Sequence, residues 1–433
     1  MSNAFPLPVV IVGGGFSGAM LAARLAERGQ ASVVIDRSDA FGLGVAYSTA
    51  LAAHRLNVRA GRMSAVADRP ADFVDWLTAR HPDQADPNGF APRRLYGLYL
   101  RDRLAAVEEA RPDLIRRVTG AVVAVDGLTA VLASGERVEG RAIVLATGNP
   151  APRTAAQGGR IIADPWARQA LARVQPGDDV LILGAGLTMV DVLLMLEAQG
   201  WRGRAAALSR RGLLPRAHGT RHDAPLALPP EALTGPLSAR LATARRLAKT
   251  HGWRRLMEGY RPITLDLWRA ATEVERRRFL RHLRPWWDVH RHRIAPEIAD
   301  ELDGLIASGR LTVRAGRVLA MESTDTSASL RLATRGGTEH ALSAPWLIDC
   351  TGPGHDAATA PPTAALIASG RARLAASGLG LDLDAEGRVR HADGAPDPAL
   401  YVLGPPARAA FWETVAVPDI RQRIEALTER LAI

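Results

Sequence analysis

The feature that most limits how this chain can fold is a pattern that occurs twice. Near its start, Val9-Val10-Ile11-Val12 runs into Gly13-Gly14-Gly15-Phe16-Ser17-Gly18 and then into small and apolar residues at helical spacing. Far downstream, Val180-Leu181-Ile182-Leu183 runs into Gly184-Ala185-Gly186-Leu187-Thr188-Met189 and a second apolar helical stretch. A short apolar run bounded by glycines reads as a buried strand, and the switch of apolar period from two to 3.6 marks the helix after it. Each copy leads into another β-rich run, Ala31 to Asp36 and Ala205 to Ser209. Each also closes alike: Val118 to Val144 alternates strand-like runs with turns before Thr147-Gly148, and Leu311 to Ile348 does so before Thr351-Gly352.

The fold class that follows is α/β, with two Rossmann-like dinucleotide-binding domains, each carrying a small β-meander. Between about residues 215 and 296 the chain is rich in Arg, Leu and Trp and poor in β-branched runs, which predicts a helical insertion in the second domain. The tail offers a strand at Tyr401-Val402-Leu403 and a last helix opened by Pro418 and Asp419. It is expected to return to the first domain. The expected division is 1–155 with 345–433 as one domain and 156–344 as the other.

The glycines have separate jobs. Gly13 permits a tight turn, Gly15 lets the backbone approach a diphosphate, and Gly18 allows close packing of helix on strand. The helix opening at Phe16 and Ser17 aims backbone N–H groups and its positive dipole end at the phosphates. An acid about 20 residues on, at the end of the next strand, completes the fingerprint; here it is Asp36, followed by Arg37, placed to accept hydrogen bonds from a ribose diol. In the second turn Gly184 and Gly186 are kept and Met189 replaces the third glycine. After the following strand comes Ser209-Arg210-Arg211, a hydroxyl and two guanidiniums suited to a 2′-phosphate, so NADPH is preferred to NADH there.

The formal charge is +10, but nearly every basic residue is arginine, spread along the chain, and no basic block with interleaved aromatics marks a nucleic-acid groove. Cys350 is the single cysteine, which excludes a disulfide framework and a Cys-x-x-Cys redox pair. The longest apolar segment, Val180 to Leu196, holds two glycines and Asp191 and reads as strand plus helix rather than a membrane span. No charged segment followed by an apolar stretch opens the chain, and a cytoplasmic protein with no nucleic-acid or membrane partner is expected. The oligomeric state is left open.

The two glycine turns, Asp36 and the paired Thr-Gly closures resemble those of the two-dinucleotide-binding flavoproteins. Within them the chain resembles a bacterial FAD/NAD(P)-binding family through Gly42 to Ser48, Leu56-Asn57-Val58, Arg93 to Gly97, Gly184 to Asp191, Arg284 to His290, Trp412-Glu413 and Ala416 to Arg421. The resemblance implies FAD in the first domain and NADPH or NADH in the second. It implies that Gly44, Ala46, Tyr47, Asn57 and Val58 lie beside the flavin ring, and that Ala146, Thr147 and Gly148 mark the crossing between domains; Gly352, in the second Thr-Gly closure, is counted with the cofactor-binding residues. It further implies that the helix at Pro418 aims its N-terminus at the flavin's pyrimidine edge. Where that superfamily often has an aspartate after the glycine of its C-terminal strand, this chain reads Gly404-Pro405-Pro406, and proline supplies neither carboxylate nor N–H donor.

Pro285 to Arg293 packs indoles, imidazoles and guanidiniums together, either as a roof over a substrate or as a plug at a domain junction. Cys350 reads as a buried small hydrophobe rather than a reactive thiol, and Glu413 as a flavin neighbour or a member of a buried pair. No metal site and no catalytic acid or base is assigned. The function expected is an FAD-dependent oxidoreductase reduced by NAD(P)H, a monooxygenase acting on a small molecule. The alternatives are an NAD(P)H:acceptor oxidoreductase or FAD-dependent dehydrogenase or oxidase without oxygen insertion, and a non-catalytic FAD-binding sensor.

Overall fold

The structure is a computed structural model that describes residues 7–150, 158–352, 354 and 357–432. It opens with strand β1 (Val9–Val12), helix α1 (Phe16–Glu27) and strand β2 (Ser32–Asp36). The short α2 (Gly44–Tyr47), α3 (Asp72–Arg80) and the long α4 (Arg93–Ala110) lead to β3 (Ile115–Thr119). An antiparallel meander of β4 (Val122–Asp126), β5 (Thr129–Leu132) and β6 (Arg137–Glu139) then delivers β7 (Ala142–Leu145) to the far side of β1. Every residue of β1 is buried, with Val9 and Ile11 in one core and Val10 and Val12 in another, as a parallel sheet covered on both faces requires.

The second unit repeats this order. After β8 (Ile161–Ile162) come β9 (Val180–Leu183), α5 (Leu187–Ala198) and β10 (Ala205–Ser209). The insertion follows as five helices: α6 (Leu237–His251), α7 (Trp253–Tyr260), α8 (Thr264–Ala270), α9 (Glu273–His282) and α10 (Arg284–Arg291). Helix α11 (Pro296–Ala307) leads back to the sheet at β11 (Leu311–Ala315) and buries Ile298 and Leu302 in the core under β9. A meander of β12 (Arg317–Ser323), β13 (Ala328–Ala333) and β14 (Glu339–Ala344) precedes β15 (Trp346–Asp349). The return segment carries α12 (Thr363–Ala368), β16 (Arg388–Arg390), β17 (Pro396–Val402), α13 (Arg408–Phe411) and α14 (Val417–Leu431).

Beside the two three-stranded meanders, two larger sheets form, in the orders β16-β17-β7-β1-β2-β3 and β11-β10-β9-β15-β8. The expected division at residue 345 cuts too early. β15 pairs in parallel with β9, Trp346 opposite Val180, so the chain leaves the second sheet only after Asp349. The expected boundary at 155/156 lies outside the described residues. β17 then joins β7, with Leu400 opposite Ile143, and α14 lies on α1. Val417, Ile420, Ile424, Leu427 and Leu431 are buried against the α1 core, each contributing roughly 1.5–3 kcal/mol. Arg24 of α1 adds an ion pair to Glu425 of α14 at 2.7 Å. Among the described residues no helix is long and apolar enough to cross a membrane.

Candidate functional site

The first glycine turn is built by contact. Gly13 adopts φ +110°, and a side chain there would collide with the Ala146 carbonyl at the end of β7. A side chain at Gly18 would collide with the Gly13 carbonyl, so α1 can press onto the turn only with hydrogen at that position. Gly15 caps α1 with no side-chain hydrogen bond, and the first turn of the helix has no acid. The first intrahelical bond in view runs from Ala19 N to Gly15 O at 3.0 Å, which leaves the N–H groups of Phe16, Ser17 and Gly18 without an intrahelical acceptor. The free N–H groups, the dipole and the missing side chains fit the diphosphate of a dinucleotide.

Around this turn the structure gathers most of the residues expected from sequence. Asp36, at the end of β2, accepts from Gly14 N at 2.7 Å through one oxygen and from Ser38 N at 2.9 Å through the other. Gly42 N donates to Gly14 O at 2.7 Å. A β-carbon on Gly44 would stand 3.4 Å from the Gly15 α-carbon, so these two glycines face each other. Tyr47 packs its ring on Phe16 and Tyr96, and Gly404 (φ +78°) is so close to Ser17 that a β-carbon would approach its hydroxyl to 2.6 Å. Thr147 is exposed and Gly148 takes φ +72° with open space about it. Ala46 and Arg37 are exposed. Pro418 occupies the first turn of α14. Asn57 and Val58 lie on the wall towards the insertion, where His218 Nε2 donates to Asn57 O at 3.0 Å. The Pro405-Pro406 stretch forms a short turn that contributes no carboxylate.

The second turn copies the first in its opening. Gly184 has φ +106°, and a side chain there would collide with the Cys350 carbonyl at the end of β15. Gly186 caps α5 with no side-chain bond and open space around it, and the first turn of α5 lacks an acid. Met189 is fully buried in the core beneath. Ser209 Oγ accepts from Gly212 N at 3.0 Å, while Arg210 and Arg211 are exposed. Gly352 takes φ +90° beside Thr351, whose N–H and hydroxyl both donate to Asp349. Burial pushes the Cys350 thiol well above its ordinary range, which suits an inert core residue.

The partners in three groups were not legible from sequence. Arg93 of α4 makes a bidentate pair with Asp191 of α5, at 2.8 and 3.0 Å, tying the two units together; His54 adds a bond to the Asp191 carbonyl oxygen at 3.1 Å. Pairing across a sequence distance of 98 leaves no local signal. Glu413 is buried where the return segment meets α10, with Trp287 Nε1 donating to it at 2.8 Å and the Arg291 guanidinium forming an ion pair with it at 3.3 Å. Burial pushes its carboxyl up, but Arg291, His292 and the indole N–H outweigh it and hold the carboxyl below the usual range. Trp412 before it has φ 51°, a left-handed conformation held by stacking on Trp268 at 4.8 Å. Trp287 thus seals a junction, and the buried-pair reading of Glu413 is the one the geometry carries. The third group is a basic cavity lined by Arg59, Arg62, Arg261 and Arg293 beside Val58.

Residues 10–150 match a family model described as FAD-NAD(P)-binding, about a third of the chain. No curated protein matches. Over its whole length the chain is similar in fold to solved structures. The ornithine hydroxylase of Pseudomonas aeruginosa is 17% identical over 99% of both chains, with a TM-score of 0.65. The ornithine N-hydroxylase of Kutzneria sp. 744, solved with reduced FAD, NADP+ and L-ornithine, is 17% identical over 98% of this chain and 99% of its own, at 0.64. The FAD-bound cadaverine monooxygenase of Erwinia amylovora is 13% identical over 98% of this chain and 93% of its own, at 0.66. The fold is the one these solved structures share.

Proposed function

We propose that this protein is an FAD-dependent oxidoreductase that takes reducing equivalents from NAD(P)H and transfers one atom of dioxygen to a small organic molecule. The observation that carries the reading is the pair of uncapped helix N-termini, α1 and α5, each opened by a glycine turn whose first glycine tolerates no side chain. The unit built on β1 would hold FAD, with Gly13 to Gly18 at the diphosphate, Asp36 at the adenosine ribose, and Gly44, Ala46, Tyr47, Asn57 and Val58 beside the ring. The unit built on β9 would hold the nicotinamide cofactor through Gly184 and Gly186, with Ser209, Arg210 and Arg211 offered to a 2′-phosphate. When bound, FAD supplies hydride acceptance and oxygen activation.

The chain's own residues do the rest. The N-terminus of α14, beginning at Val417, presents a partial positive charge to any anion that develops beside it. Arg93 with Asp191 holds the two units at a set spacing, so the two cofactors would meet in a constant geometry. The likeness to the ornithine and cadaverine hydroxylases supports the monooxygenase reading over a plain reductase.

Anaerobic mixing of the FAD-loaded protein with NADPH is expected to bleach the flavin, and labelled dioxygen is expected to appear in product. A flavin that NADPH leaves oxidised, or peroxide formed in stoichiometric yield with every amine, sulfide and ketone offered, would overturn the proposal.

A further inference from the structure

The stretch from Val58 to Arg62 and the helical insertion line a small, partly open cavity of about 20 Å³ between them. Its lining holds five arginines, Arg59, Arg62, Arg221, Arg261 and Arg293, against two carboxylates, Asp223 and Glu258. Three of the guanidiniums share one acid. Arg62 and Arg261 both reach one Glu258 oxygen at 3.3 Å, and Arg293 reaches the other at 3.3 Å. These distances exceed the 2.7–2.9 Å typical of a satisfied charge-assisted bond. Arg59 is committed to backbone carbonyls, donating to Asn88 and, at 2.6 Å, to Gly219, so it brings charge without a carboxylate of its own.

Burial is deep on one side. The Arg293 side chain is 4% exposed and that of Arg261 13%. Burial, with Arg291 and Arg62 close by, pushes the Arg261 guanidinium down to about 9, still charged at neutral pH. Burial and the neighbouring arginines likewise push His218 down to about 3, despite its bond to Asn57 O, so it stands in the wall as a neutral ring. Buried positive charge in excess is costly unless an anion joins it, and a guanidinium fork matches the paired oxygens of a carboxylate or phosphate.

We infer that this cavity binds a carboxylate or phosphate group, and that the group belongs to the organic substrate. The anion site stands on its lining alone; its assignment to the substrate rests on the function proposed above, because Val58 in its wall, and Asn57, which accepts from the lining His218, are residues placed there beside the flavin. Arg210 and Arg211, the pair offered to the nicotinamide cofactor, lie at the end of β10 and do not line it.

The test uses the oxidised, FAD-loaded protein without NADPH. Inorganic phosphate and succinate are titrated calorimetrically against sodium chloride at equal ionic strength. At least one probe is expected to bind at a single site; tighter binding of phosphate identifies a phosphorylated group and tighter binding of succinate a carboxylate. Arg62→Gln and Arg221→Gln, at the exposed rim, are each expected to weaken it about tenfold, with Arg62→Lys recovering part of the loss, and circular dichroism confirming that the variants fold. Binding no stronger than chloride, or glutamine variants that bind like the parent, overturns the anion site. Displacement of the probe by NADP+ but not by NAD+ overturns the substrate assignment and gives the cavity to the cofactor's 2′-phosphate. Flavin bleaching by NADPH reports on the oxidoreductase reading independently of either result.

Discussion

The two glycine turns begin alike and part at their third position. In the first, Gly18 lets α1 press against the Gly13 carbonyl; in the second, Met189 carries a full side chain into the core under β9. A β-carbon in the geometry of the first turn would collide with that carbonyl, so α5 must stand further off its own. Close approach therefore secures the first helix and side-chain packing the second. The strand ends differ as well: Asp36 bonds back to the Gly14 amide, whereas Ser209, Arg210 and Arg211 leave two cationic forks exposed. One scaffold thus offers a tight seat with an acid beside it and a looser seat with cations beside it, the difference expected between a resident cofactor and one that comes and goes.

The sharpest way to break that comparison is to fill both turns. Gly13→Val is expected to yield protein lacking flavin, with FAD affinity down at least about 1,000-fold, roughly 4 kcal/mol. Gly184→Val should keep its colour and lose NADPH binding. Flavin absorbance per protein decides, and a colourless Gly184→Val would mean that the turns do not act separately. Met189→Ala probes the side-chain packing of the second unit. It should cost roughly 2–5 kcal/mol in urea unfolding while leaving flavin content intact; a loss below 1 kcal/mol, on the order expected for a surface change, would show that α5 does not depend on that side chain.

His218 tests the seam beside the first unit. Its folded value of about 3 lies below the ordinary 6.5, so between those values the unfolded chain binds more protons. Stability is therefore complete above about pH 6.5 and falls as pH drops towards 3, by up to about 1.4 kcal/mol per unit. Urea midpoints across that range should show the slope, and His218→Gln should flatten it. The smallest effect is expected from Arg210→Gln with Arg211→Gln, which should reduce preference for NADPH over NADH by less than about tenfold, near 1.4 kcal/mol. Binding titrations with both cofactors check it, and an unchanged ratio would remove these side chains from cofactor choice.

Much of the fold was readable because its signals are local. A strand entering a glycine turn and a helix is written in about 20 consecutive residues, and both copies form with the expected turns, helices and meanders. The strand at Trp346–Asp349 shows where such reading stops. The closing pattern set it with the second unit and the expected boundary with the first, and pairing with β9 decides for the second. Gly13 and Gly184 could be chosen from the pattern, but the carbonyls that forbid side chains there, of Ala146 and Cys350, come from strands far along the chain.

The order of amino acids alone determined two β-glycine-α-β units, the acid after the first and the cations after the second, because turn stereochemistry and apolar period act over a few neighbouring residues. Tertiary structure alone decided that Arg93 grips Asp191, that Glu413 is sealed beneath Trp287, and that arginines from the first unit and the insertion crowd around Glu258. Charge pairing depends on distance in space and on exclusion of water, and neither exists until the units have packed together.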